Sequence, residues 1–268
     1  MDTIVSVPEQ LYELADAGLE ILRMTSYSTS IGQLMLCRVA DSGYVQIAGP
    51  VITADHQKMC RDMFELGAEM IIIDGAIDRK SIAAPDTSDA IILATGAVLS
   101  RSMKRVVEET VHIVETYRLP CLEEGAVKNL ICRERRDRIM IIEKGCHREL
   151  ELKTGLGAGK FLDQEIGQDT EYLYIPGAFT KSVIADIHPA KLKNVTFILK
   201  DPTKIFIDAA DWQQLKKKGL TVKVLQNIRV AAITVNPTAP AGYGFEHNAL
   251  LKAVRQAVPD IPVIDVML

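Results

Sequence analysis

Apolar residues along this chain fall into two alternating patterns, helical stripes and short unbroken runs. Leu11, Leu14, Ala15, Leu19 and Leu22 form a stripe behind Pro8, a residue suited to a first helical turn, and predict a helix over residues 8–22. QLMLCRV (33–39) and YVQIA (44–48) predict two strands. Asp41, Ser42 and Gly43 between them read as a hairpin turn. Residues 53–66 predict an amphipathic helix with Thr53 as its cap, ended by Gly67. EMIIID (69–74) and AIILAT (90–95) are the runs expected of neighbouring parallel strands covered on both faces. Residues 100–117 predict a helix capped by Ser100 or Ser102, with Met103, Val106, Val107, Val111 and Val114 facing inward and His112 at its surface or boundary.

The second half continues the alternation. NLICRE, RIMIIE, YLYIPG, NVTFILK, KIFI, LTVKVLQ, VAAITVNP and PVIDVM read as strands. FTKSVIADI, DAADWQQLKKKG and HNALLKAVRQAV read as helices. Strand and helix in turn is the grammar of an α/β fold, a mainly parallel sheet flanked by helices. The expected division is an α/β domain over 1–122 and a second α/β portion over 123–268, which could be packed with the first as one unit.

Composition narrows the function classes. The chain has 268 residues, 48% hydrophobic and 25% charged, long enough for a core without disulfides. A net charge of −4 and a pI near 5.8 argue against a sequence-independent nucleic-acid binder, which needs a basic face. The basic cluster Arg133, Arg135, Arg136 and Arg138 is interrupted by Glu134 and Asp137 and reads as a solvated turn between two strands. Five cysteines, an odd number without CxxC spacing, point to a reducing cytoplasm and no structural disulfide. Cys37 and Cys132 lie in strand-like apolar runs. Cys146-His147 would face opposite ways on a strand. No apolar run reaches the length of a membrane span, and no signal-peptide pattern opens the chain.

The chemistry-bearing candidates sit at strand ends. Asp74 closes IIID, and an apolar strand ending in Asp is the second half of a nucleotide-hydrolysing site. Gly75, Arg79 and Lys80 follow it, and Thr95 closes the neighbouring run. TGLGAGK departs from a phosphate loop at both critical places: Thr154 stands where the first Gly belongs, and Phe161 where the hydroxyl belongs. Gly155, Gly157, Gly159 and Lys160 then form either a flexible turn or an anion nest for a nucleotide or phosphate. NPTAPAGYGFEHNALL is a rigid loop in which Asn236 could bond its own backbone while Tyr243 and Phe245 pack it down. No residue set identifies a metal or a catalytic group.

DGAIDRKSIAAP, SDAIILATGAVLSRSMKRVVEETVHIV, IGQLMLCRVADSGYVQIAGP and ITVNPTAPAGYGFEHNALL resemble segments of the reactivase subunits encoded beside bacterial lysine 5,6-aminomutase. The likeness touches both halves and is weak over residues 125–225. It implies a P-loop-NTPase-like fold and a role in lysine fermentation as accessory to a mutase that uses adenosylcobalamin and pyridoxal phosphate. The implied partners are that mutase and a MutS-related ATPase. Nucleic acid and membrane are not among the expected partners, and a homo-oligomer stays open. The family carries an N-terminal P-loop segment that is not among these 268 residues: either the chain is a version that has lost nucleotide binding, or the segment lies outside them, and nucleotide hydrolysis by this chain is in doubt. By the same likeness Asp74 matches the family's strand-end acid, with Gly75, Arg79 and Lys80 in its loop. Cobalamin would enter only through the partner enzyme. The alternative is a nucleotide- or phospholigand-binding enzyme using Asp74, Thr95 and the turn from Gly155 to Lys160.

Overall fold

The computed structural model describes residues 2–75, 83–134, 137–144, 146–151 and 158–267, and the chain divides into two units, 1–82 and 83–268. The expected boundary lay after residue 122. The chain is α/β, with several sheets, some of them parallel.

In the first unit, β1 (Ile4–Pro8) and β2 (Leu19–Thr29) flank β3 (Gly32–Val39), each antiparallel to it. A four-residue helix, α1 (Glu9–Tyr12), separates β1 from β2, and α2 (Thr53–Glu65) follows β3. Alternation along β3 divides the core. Leu34 and Leu36 pack with Tyr27 against Met59 and Met63 of α2, while Met35 and Cys37 meet Val7. Asp62 on α2 accepts from Arg23 (2.8 Å) and from the Tyr27 hydroxyl (2.8 Å), tying the helix to β2. Gly67, at φ +100°, closes α2 as expected.

Three expectations for this unit are corrected. The helix expected over 8–22 is kept only at Glu9–Tyr12; residues 13–18 are neither helix nor strand, and β2 starts at Leu19. After Gly18, residues such as Leu19, Ile21 and Met24 pair with β3, and a long ladder overrides the helical stripe. YVQIA forms no strand: Tyr44 O accepts from Asp16 N and Ala17 N, Ala48 N donates to Ser6 O, and no ladder develops. IIID forms no strand either, so it does not pair with AIILAT. Ile71 packs on the α2 side of the core, while Met70 and Ile72 are exposed.

The second unit opens with β4 (Ile91–Gly96), α3 (Met103–Tyr117), α4 (Ala126–Glu134), β5 (Met140–Glu143), β6 (Cys146–Glu149), α5 (Gly159–Glu165) and β7 (Thr170–Ile175). Then come β8 (Phe179–Thr180), α6 (Lys181–Ile184), α7 (Pro189–Asn194), β9 (Thr196–Leu199), β10 (Ile205–Phe206), α8 (Ala209–Lys217), β11 (Thr221–Val224), β12 (Val230–Asn236), α9 (His247–Ala257) and β13 (Val263–Asp265). Five strands run in the order β11-β9-β7-β5-β6, with β5 antiparallel to both neighbours. One face of this sheet is covered by the helices after β6, around Phe179, Phe197 and Trp212. The other face meets α4 through Ile131, Val127 and Leu130. NLICRE is therefore helical rather than a strand, since Val127, Leu130 and Ile131 recur at helical spacing. Cys132 is exposed, not in an apolar strand, whereas Cys37 is buried as expected.

The other main sheet is all parallel, β13-β12-β4, with β12 central. Ile91, Leu93, Ile233, Val235 and Val263 face α3 and α9 and bury against Val106, Val114, Leu250 and Val254. Ser102 caps α3, Asp208 caps α8 and Glu246 caps α9. His112, expected at the surface or boundary of its helix, is buried on α3: its Nε2 lies 2.9 Å from Ile207 O, and its ring meets Trp212 edge-on at 6.1 Å.

Candidate functional site

The carboxyl end of the parallel sheet gathers the most polar side chains around one edge, the place where open α/β sheets bind ligands. Thr95, Val235 and Asp265 lie in one row across β4, β12 and β13. All three point to the helix-covered face. The Asp265 side chain is 1% exposed. Its Oδ1 accepts from Met267 N (2.8 Å), and its Oδ2 lies 3.1 Å from Nδ1 of His247, the first residue of α9. An aspartate oxygen accepts, so Nδ1 is the donating nitrogen, and the rest of the half-buried ring is left to face solvent.

The loop between β12 and α9 is folded onto itself. Asn236 Oδ1 accepts from Thr238 N (2.9 Å), Ala239 N donates to Tyr243 O (2.8 Å), and Phe245 N donates to Pro237 O (2.8 Å). The Tyr243 hydroxyl donates to Ala97 O (2.8 Å), which fixes the loop against the turn after β4, and Phe245 packs on the core. Asn236, Tyr243 and Phe245 thus behave as their loop chemistry predicts. Arg101 lies over the Tyr243 ring, 4.8 Å from its centroid, so a cation is held beside the turn that leads into α3. Glu246 is occupied as a cap, accepting from Asn248 N (3.0 Å) and Ala249 N (2.6 Å). The edge therefore offers an oriented imidazole and a positioned guanidinium, groups able to move a proton and to pair with an anion.

Of the residues expected to share a site, the structure describes Asp74, Gly75, Thr95, Gly159, Lys160 and Asn236. Thr95 does end β4, but it is buried. Its Oγ1 lies 2.7 Å from that of Thr110, whose own hydroxyl donates to Val106 O (2.7 Å), so Thr95 donates to Thr110. It pins α3 to the sheet instead of presenting a hydroxyl. Asp74 and Gly75 belong to the first unit, are exposed and end no strand, so the partly buried strand-end carboxylate is corrected. Arg79, Lys80, Gly155 and Gly157 lie outside the described residues. Gly159 starts α5 and is buried: a Cβ there would lie 3.0 Å from Ser182 O and 3.1 Å from the Asp186 side chain. Lys160 beside it is exposed.

One further acidic group escaped the sequence reading. Asp201 follows β9 and is buried. Its Oδ1 accepts from Thr203 N (2.9 Å) and also from the Thr203 hydroxyl. Lys200 pairs with Asp86 at 2.6 Å. Burial, and then the Asp201 charge, push the Tyr117 phenol up, and burial pushes Tyr174 up to about 12. Asp265 lies in PVIDVM, a run the sequence reads only as a strand, and its pairing with His247 depends on the fold.

Among the described residues, the opposite face of the parallel sheet is left uncovered. Ile92 and Ala94 on β4 and Ile264 on β13 are exposed, and Ala232 and Thr234 between them are half-buried. Among the described residues, no group of three or more His, Cys, Asp or Glu could hold a metal ion, and no helix is long and apolar enough to cross a membrane. Compared with protein-family models, curated proteins and solved structures, the chain finds no match in any of the three.

Proposed function

We propose that the chain is an accessory subunit of an adenosylcobalamin- and pyridoxal-phosphate-dependent aminomutase, acting by binding that mutase together with a MutS-like ATPase. The segment likeness around residues 31–50, 74–114 and 233–251 supports this reading. The observation that carries it is the open face of β4, β12 and β13. Parallel sheets are normally covered on both faces. Here one face is filled by α3 and α9, while the other presents Ile92 at 67% and Ile264 at 54% exposure. A large protein partner fits such a face better than a small ligand does. In this reading the sheet is P-loop-NTPase-like, and nucleotide and cobalamin are handled by the partners.

The test is direct. Tagged chain is mixed with mutase and ATPase, and both association and recovery of inactivated mutase on addition of fresh adenosylcobalamin are measured. Ile264→Asp should weaken association by about tenfold or more if Ile264 lies at the centre of the contact. The chain alone should turn over no ATP. Failure of the chain to bind either protein, with no effect on recovery, would sink the reading.

A further inference from the structure

The two edges of the parallel sheet are treated differently. On β13, the Arg255 guanidinium donates to Val263 O through Nε (3.2 Å) and Nη2 (2.9 Å), occupying an outward carbonyl of that edge. Such a block is one way a protein keeps a sheet from growing. On β4 nothing comparable is present among the described residues. Ile91 N donates to Arg229 O (2.9 Å), so Ile91, Leu93 and Thr95 turn their backbone groups toward β12. By alternation, Ile92 and Ala94 turn theirs outward, away from any strand. The exposed side chains of the same two residues lie on the open face. Past the strand, Val98 and Leu99 extend the apolar surface. No Pro or Lys lies in β4, and the register irregularity in its ladder, between Val230 and Ala232, is on the β12 side.

We propose that a second copy of this chain pairs with β4 edge to edge, antiparallel about a two-fold axis, with Ile92 of one chain opposite Ala94 of the other. The edge is self-complementary in both respects that pairing requires. Residues 92 and 94 each carry an outward N–H and C=O, and an antiparallel hydrogen-bonded pair exchanges both. Ile92 against Ala94 sets a large side chain against a small one, and the two-fold repeats the match in reverse. An axis normal to the sheet puts both open faces on the same side, giving one continuous six-stranded sheet. Arg255 at the two outer edges then stops further addition, so the assembly closes at two chains. This inference does not rest on the accessory role.

Light scattering on the full chain at tens of micromolar should give twice the 29.5 kDa chain mass. Ile92→Lys places a charge in the pair at an already exposed position and should return the mass to one chain with the circular dichroism unchanged. Ile264→Lys, on the same face at the other edge, should leave the two-chain mass intact. Hydrogen exchange adds a readout that does not depend on mass. The Ile92 and Ala94 amides should exchange slowly in the unmodified protein and quickly in Ile92→Lys. A single-chain mass for the unmodified protein would overturn the proposal. So would a two-chain mass that survives Ile92→Lys or is abolished by Ile264→Lys.

Discussion

Asp265 holds His247 by its Nδ1 at 3.1 Å, joining the end of the last strand to the start of α9. The carboxylate is almost wholly buried and also accepts from Met267 N, whereas the imidazole reaches solvent. Removing the acid therefore strips two bonds at a buried position. Removing the imidazole leaves a buried carboxylate short of one donor. Asp265→Ala should cost about 1–3 kcal/mol in denaturant unfolding, and His247→Ala should cost less than a fully buried pair would, because water can reach the vacated place. His247→Gln, which restores a donor, should recover part of the loss. Equal stability for all three variants would show that the pair contributes nothing.

Gly96 and Asn236 meet at the other side of the same edge. They are register partners, and a Cβ on residue 96 would clash with the Asn236 carbonyl. That carbonyl belongs to the first residue of the folded loop and cannot yield as a flexible side chain could. Gly96→Ala should lower stability by about 1–3 kcal/mol, the range of overpacking in a close-packed site. It should also loosen the bond from Tyr243 to Ala97 O. Near-ultraviolet circular dichroism of the tyrosines reads that change, and an unaltered spectrum with unaltered melting would refute it.

The second half of the chain was legible because its local signals agree. Ser102 and Asp208 cap helices at the predicted starts, Pro237 and Gly244 mark the loop, and short apolar runs alternate with helical stripes. The first unit was harder because a sheet made of distant pairings decides it. Leu11, Leu14 and Ala15 do suit a helix, yet only Glu9–Tyr12 keeps one, since Leu19–Thr29 gains a ladder with β3. An apolar run alone does not distinguish strand from buried helix or coil, which is why NLICRE and IIID were both misread. At the candidate site, Asn236 and Thr95 were visible as strand ends. The burial of Thr95 against Thr110 and the pairing of His247 with Asp265 were not, because both depend on which helix covers which face.

Arg255 yields a prediction separate from the pairing of β4. Its guanidinium occupies Val263 O on the outer edge of β13, beside a groove of about 490 Å³ lined by Pro259, Ile261, Pro262 and Ile264. Arg255→Ala should free that carbonyl and open the groove, leaving an apolar edge ready for another strand. The expected outcome is open-ended association that grows with concentration, seen in sedimentation velocity as species larger than those of the unmodified protein. Unfolding midpoints at low concentration should change little, since Arg255 is exposed. An unchanged size distribution would show that the side chain does not guard the edge.

Three tyrosines should titrate late: Tyr27, Tyr174 and Tyr117, the last pushed up by burial and then by the Asp201 charge. Tyr27 in the first unit is pushed up to about 12 mainly by burial, then by its hydrogen bond to Asp62 and that residue's charge. Tyr174 in the second unit is pushed to about 12 mainly by burial, with Asp137 adding negative charge. A phenol whose folded pKa is raised gives stability that is fully present below its unfolded value near 10 and is lost as pH rises through the folded value. The window is therefore pH 10 to 12, and the direction is loss with increasing pH. Tyrosinate absorbance should show Tyr27 and Tyr174 ionising late in that range, while unfolding curves shift to lower denaturant. Tyr27→Phe should remove one of the late phenols and flatten the pH dependence of the first unit. Because Tyr27 also donates to Asp62, it should weaken the tie between α2 and β2 at neutral pH. If all seven phenols titrated together near 10, the burial assigned to these positions would be wrong.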